Sequence, residues 1–282
     1  MSTANGIVDH TTDSAALADI AERFVGARLR GESVPDFPGA IPDDLVTSYK
    51  VQDIAISRWP DAVVGWKVGY IAPEKRDVSG DDRLLGPIFE GNFWNATGSM
   101  QPIPVFAPGG FGAVEAEYVM RLDADAPEGK TDWTPDEAAA LPATLFIGLE
   151  VASSPLKTIN ELGPRVVVSD FGNNNGLILG AEVPAWTTLD EASLLAETLI
   201  DGSSVGTGGA QRLPGGLRTA FAFALSRSAK RGRPLKRGEY IATGNATGIH
   251  DIAPGQRATV VFQGYGTLEV EAVAATPKES SA

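Results

Sequence analysis

Ala62-Val63-Val64-Gly65-Trp66-Lys67-Val68-Gly69-Tyr70 is the stretch in which the chain changes character. Val64, Trp66, Val68 and Tyr70 fall on one face of an extended segment, and Val63, Gly65, Lys67 and Gly69 on the other, the two-residue period of a strand. Before this stretch the apolar residues follow a helical period. Leu17, Ile20, Ala21 and Phe24 line one face of a helix that Asp13 or Ser14 can cap. A Gly/Pro-rich connector over 31–41 follows, and Pro42 opens a second helix carrying Leu45, Tyr49, Ile56 and Trp59.

After it, strands dominate. Runs at 113–120, 143–150, 165–169, 177–180, 196–200, 239–243, 257–263 and 267–273 read as strands, several bounded by turn pairs such as Asp201-Gly202 and Pro254-Gly255. Two helices interrupt them: one at Thr134-Pro135-Asp136-Glu137, which has capping-box spacing, and one from Leu217 to Lys230. The predicted architecture is α+β: a tail and helical N-terminal cap over 1–61, a mostly β body over 62–275, and a flexible tail over 276–282.

Composition excludes much chemistry. The 282 residues contain no cysteine and two histidines, His10 and His250, so thiolate nucleophiles, iron–sulfur clusters and multi-histidine metal sites are ruled out. A net charge of −13 argues against an extended nucleic-acid surface. No stretch reaches the roughly 18 to 20 apolar residues of a membrane span, and no secretory or transit signal is visible, so a cytoplasmic location without membrane partners is expected.

The remaining polar residues suggest a site for a hard cation. Glu115 and Glu117 alternate along Ala113-Val114-Glu115-Ala116-Glu117-Tyr118-Val119, which places both carboxylates on one strand face, about 7 Å apart. Taken alone, the pair reads more readily as a solvated strand face. Glu150 ends the apolar run Ala143 to Leu149, where a buried carboxylate needs an ion, a proton or a partner, whereas one emerging at the strand end needs none. Lys67 is flanked on its own face by Gly65 and Gly69, which leaves room for a ligand or marks a glycine-relieved edge strand.

Oxygen donors without cysteine or clustered histidine suit Mg²⁺ or Mn²⁺. Three carboxylates and a dication leave one negative charge, which a protonated Lys67 neutralises, so a small anionic 2-oxo or 2-enol acid could join the site. Two loops are weaker candidates. Asp170-Phe171-Gly172-Asn173-Asn174-Asn175-Gly176 joins two apolar runs and offers Asp170 and Asn174 to a substrate, and Thr243-Gly244-Asn245-Ala246-Thr247-Gly248 could present backbone N–H groups at Thr243 and Gly244. The second lacks the lysine of a phosphate-binding loop.

Taken in order, Gly65-Trp66-Lys67-Val68-Gly69, Val114-Glu115-Ala116-Glu117, Gly148-Leu149-Glu150-Val151 and the Asp170 to Gly180 segment resemble the 2-oxo-4-pentenoate hydratase and 4-oxalocrotonate decarboxylase branch of the fumarylacetoacetate hydrolase superfamily. Tyr49-Lys50-Val51-Gln52 and Arg233 to Glu239 add to the resemblance, which spans about 15–273. It implies mixed sheets rolled around a central site, with Glu115, Glu117 and Glu150 as metal ligands and Lys67 as the acid/base. It also implies a catalytic acidic residue at Asp81 or, preferably, Asp82.

The implied reaction is hydration of a 2-hydroxy-2,4-dienoate to a 4-hydroxy-2-oxo acid through an enolate, with Lys67 brought towards neutrality by burial and the metal. The alternative is decarboxylation of a 2-oxo-3-hexenedioate. Acylpyruvate hydrolysis and an inactive acid-binding partner subunit rank lower. The resemblance further implies a homo-oligomer, or a hydratase–decarboxylase complex. Ala152-Ser153-Ser154-Pro155 and Thr243-Gly244-Asn245 depart from the Asp-Ser-Arg-like and Ser-Gly-Ser-like elements of the family. By the resemblance, both departures are expected to border the substrate's distal end.

Overall fold

In a computed structural model of the chain, the structure describes residues 10–278. The expected fold class is observed, an α+β arrangement in which two N-terminal helices precede a mostly β body. Helix α1 runs His10–Arg30, so Asp13 and Ser14 lie inside it rather than capping it. Helix α2 runs Leu45–Arg58 and is capped by Asp44, whose carboxylate accepts from the Thr47 N–H at 2.7 Å. The helix therefore starts at this cap, beyond Pro42.

Leu17, Ile20, Ala21 and Phe24 of α1 and Leu45, Tyr49, Val51 and Ala55 of α2 are buried in the same apolar cluster as Trp66, Val68, Val114 and Ala116. The cap and the sheet's outer face share one core. The shorter helices are α3 (Pro135–Ala140, with the expected Thr134/Glu137 capping box), α4 (Ile159–Leu162) and α5 (Pro164–Ser169), and the long α6 covers Gly216–Lys230.

Among the described residues, twelve strands follow in chain order: β1 Val63–Tyr70, β2 Arg83–Phe89, β3 Phe93–Asn95, β4 Gln101–Val105, β5 Phe111–Leu122, β6 Ala143–Ser154, β7 Asn174–Val183, β8 Leu195–Ile200, β9 Ser203–Gly209, β10 Tyr240–Asp251, β11 Arg257–Phe262 and β12 Gly266–Ala274. They form a seven-stranded sheet, β2-β1-β10-β5-β6-β7-β3, and a five-stranded sheet, β4-β12-β11-β8-β9. Tyr118 of β5 meets Phe262 of β11 edge to face at 5.6 Å between the two.

The larger sheet is rolled. Ile88 of β2, at one edge, packs with Leu177 and Leu179 of β7, near the other, and Val119 and Ala242 complete this small inner cluster. On β5 the inner face continues from Val119 to Glu117 and Glu115 by the two-residue period, and on β1 it carries Gly65, Lys67 and Gly69. The roll is thus plugged by apolar residues at one end and lined by charged residues further along.

Several local readings change. Residues 165–169 form α5, not a strand: Gly163 (φ 94°) turns the chain and Pro164 occupies the first helical position, overriding the β preference of Val166-Val167-Val168. Strand β2 is additional, and its Pro87 is tolerated because β2 is an edge strand. Strands β3, β4 and β9 are also additional. The Thr243–Gly248 segment is strand with two register shifts, not a loop after one.

Gly65 serves a different purpose from that expected. A Cβ there would lie 2.4 Å from the Tyr240 carbonyl oxygen, so the glycine admits the neighbouring strand, while Gly69 faces the cleft described below. Gly65→Ala should destabilise the fold by about 1–3 kcal/mol, the usual cost of overpacking, as measured by denaturant unfolding, and Gly69→Ala by less.

Candidate metal centre

Strand register brings the three glutamates together. Glu115 of β5 pairs directly across from Glu150 of β6, a like-charge placement that destabilises a sheet unless something compensates. Glu117 stands opposite Gly148, where a Cβ would come within 2.6 Å of Val119. One carboxylate oxygen from each glutamate lies within 4.8 Å of the others, and all three side chains are buried.

Each glutamate also holds one unused oxygen. Glu115 Oε1, Glu117 Oε1 and Glu150 Oε2 are buried without a hydrogen-bond donor among the described residues. The partner oxygens are fixed: Gly244 N–H donates to Glu117 Oε2 at 2.7 Å, and Asn174 Nδ2 to Glu150 Oε1 at 3.0 Å. Three convergent carboxylates, each with an oxygen left unpaired, fit a divalent hard cation and poorly fit anything softer.

Lys67 closes the cluster from β1. Its ammonium is 3.3 Å from Glu150 Oε1 and donates to Asn173 Oδ1 at 2.9 Å, and the residue is only 4% exposed. The side chain opens onto a cleft of about 300 Å³ whose polar lining includes Lys67, Glu115, Asn160, Asn173 and Asn245, with Tyr70, Glu74 and Lys75 towards the rim.

Burial sets the electrostatics. It pushes Glu115 up to about 7 against the pull of Lys67, and pushes Glu117 well above the usual carboxylate range, with Glu150 and Glu115 adding to the rise. Burial also pushes Lys67 down, but the charges of Glu150, Glu115 and Glu117 outweigh it and hold the lysine above its ordinary value. That direction is opposite to the lowering expected from sequence, which needs a dication to offset the three carboxylates.

Other sequence candidates stand elsewhere. Asp82 is not in the cleft: its carboxylate pairs with Arg83 at 2.6 Å and is 41% exposed, and Asp81 pairs with Arg227. Asp170 does not face the cleft either, because Arg28 and Ser154 occupy its carboxylate. Thr243 Oγ1 donates to the Tyr118 carbonyl, so Thr243, Gly244 and Asn174 buttress the cluster from outside the cleft. His250 lies 3.2 Å from Thr247 Oγ1, and no histidine lines the cleft among the described residues. Asn160, Glu74 and Lys75 were missed, and Asn173 and Asn245 lay within the two segments singled out from sequence without being named as site residues.

No family model matches the sequence, and no curated protein matches it. Solved structures do. A 4-oxalocrotonate decarboxylase from Pseudomonas putida G7, complexed with magnesium and adipate, aligns with 95% of this chain and 100% of its own at a TM-score of 0.76 and 20% identity. A fumarylpyruvate hydrolase from Pseudomonas aeruginosa, in complex with Mn²⁺ and pyruvate, covers 74% of this chain and 88% of its own (TM-score 0.52, 17% identity). A fumarylacetoacetate hydrolase from Exiguobacterium antarcticum covers 77% and 76% (TM-score 0.54, 18% identity). The chain therefore has the fumarylacetoacetate hydrolase fold expected from its motifs, and the decarboxylase matches it over nearly the full length of both chains.

Protonation of the carboxylate cluster gives a testable pH dependence. Glu115 is protonated below about pH 7 in the metal-free fold, so a cation must displace that proton. Because the folded value exceeds the unfolded 4.5, this group's contribution to the stability of the metal-free protein declines as pH rises through about 7. Mn²⁺ should bind with proton release below pH 7, measurable by calorimetry in buffers of different ionisation enthalpy. The rise in Tm on adding Mn²⁺ should grow from pH 5.5 to pH 8.

Proposed function

We propose that this chain is a divalent-metal-dependent lyase that decarboxylates an unsaturated 2-oxo dioic acid of the 2-oxo-3-hexenedioate type. The observation that carries the reading is the set of three orphaned glutamate oxygens beside a buried lysine at the base of a cleft. Glu115, Glu117 and Glu150 would hold Mg²⁺ or Mn²⁺, which when bound supplies Lewis-acid polarisation of the C1 carboxylate and C2 oxygen.

The chain's residues account for the rest. Lys67, protonated and directed by Asn173, stands where a proton is needed as negative charge develops on the C2 oxygen. The electron pair of the C5–C6 bond moves through the conjugated carbons to that oxygen as CO₂ departs, and Lys67 can deliver the proton to the resulting dienolate. The apolar plug behind the glutamates keeps water from the buried end. Lys75, exposed on the rim, offers a cation to the second carboxylate and so favours a dioate. Adipate, a six-carbon dioate, in the decarboxylase of the same fold supports that choice.

Hydration of a 2-hydroxy-2,4-dienoate is the second reading. It is favoured by Glu74, a rim carboxylate able to activate water, and it shares the same enolate charge. Hydrolysis is disfavoured because no histidine lines the cleft among the described residues.

Incubation with Mg²⁺ and each acid, following CO₂ release and enone absorbance, separates the reactions. Lys67→Ala should lower turnover by about 10²–10⁴-fold while Mn²⁺ binds at least as tightly, since a neighbouring positive charge is removed. Lys75→Gln should raise KM for the dioate by up to about fivefold, the worth of an exposed ion pair near 1 kcal/mol, without changing KM for a monocarboxylic 2-oxo acid.

A further inference from the structure

Arg28 is a buried arginine of the N-terminal cap that no step above uses. Its side chain is 2% exposed, and all five of its N–H groups have acceptors. Nε and Nη2 grip Asp170 Oδ1 and Oδ2 at 2.6 and 2.9 Å, Nη1 reaches the Asn174 carbonyl at 3.2 Å and Asn175 Oδ1 at 3.1 Å, and Nη2 also reaches the Ser153 carbonyl at 3.0 Å. The guanidinium lies 5.2 Å from the Phe171 ring. It thus contacts both ends of the turn 170–174 and the ring between them.

That turn is strained. Phe171, Gly172 and Asn173 have φ values of 53°, 66° and 57°, three successive residues in the left-handed region, two of which carry side chains. Such a conformation persists only where its surroundings impose it. Gly172 also lies against Gly86, so close that a Cβ at residue 172 would sit 2.7 Å from the Gly86 Cα. The turn ends in the two residues that matter: Asn173 accepts from Lys67, and Asn174 donates to Glu150.

We infer that Arg28 is a positioning residue, whose fork on Asp170 and Asn174 locks the left-handed turn and thereby aims Asn173 at Lys67 and Asn174 at Glu150. Helix α1 then sets the geometry of the centre, although it supplies no group to the cleft. A lysine cannot replace it, because one ammonium cannot span Asp170, Asn174 and Ser153 together. The inference rests on the proposed enolate chemistry only for its kinetic consequence.

The test pairs a structural and a kinetic readout. Hydrogen exchange of the metal-loaded protein reports the amides of 170–174, and Mn²⁺-supported exchange of the C3 protons of 2-oxopentanoate with D₂O reports enolisation. In Arg28→Lys the turn amides should exchange about tenfold faster while β5 and β6 keep their protection. Enolisation kcat should fall about tenfold with KM within threefold, and Arg28→Lys should slow Asn173→Ala by clearly less than that tenfold, because only the Asn174 route is then left to lose. Asp170→Asn, which keeps the shape of the pair, should show the same pattern and replaces Arg28→Lys should that variant not fold.

Unchanged protection of the turn, protection lost throughout β5 and β6, or losses that multiply in the double variant would each overturn the inference. A parent protein that enolises no 2-oxo acid would instead refute the proposed function, leaving the exchange of the turn amides to decide the role of Arg28.

Discussion

Three buried carboxylates crowd together, and the rest of the structure answers to that constraint. Two of them, Glu115 and Glu150, face each other across paired strands, and each of the three keeps an oxygen without a donor among the described residues. Like charges in a low-dielectric interior are costly unless protons or cations balance them. Protonation of Glu115 and Glu117 is one balance, the ammonium of Lys67 a second, and a divalent cation a balance that would engage all three carboxylates together.

The rolled sheet makes the gathering possible. Period-two alternation carries the inner face from the plug of Ile88, Val119, Leu177, Leu179 and Ala242 to the acidic pair and on to the cleft. Glycines at 65, 86 and 148 allow backbones and side chains to approach where a Cβ would collide. Register shifts in β10 bring the Gly244 N–H to Glu117 and Asn245 into the cleft. Chemistry and curvature therefore come from the same strands.

Much of this was legible in the sequence because alternation is a local signal. Glu115 and Glu117 share a strand face by spacing alone, Glu150 stood out as a charge at the end of an apolar run, and Lys67 as a charge between glycines. What was not legible depends on distant packing. Nothing local shows that Arg28 is buried while other arginines of α1 are solvated, or that Asp170 belongs to it and not to a substrate. The asparagine run 173–175 announced polar chemistry, but only the left-handed turn decides which amide meets the lysine. The valine run at 166–168 misled because Gly163 and Pro164 outweigh β-branching, and Lys75 gained meaning only once the loop after β1 was seen to border the cleft.

Crystals grown with Mn²⁺ and measured at the manganese absorption edge address the central claim most directly. A single strong anomalous peak within bonding distance of Glu115, Glu117 and Glu150 is the expected result. Full occupancy elsewhere, with those three carboxylates turned away from one another, would contradict it.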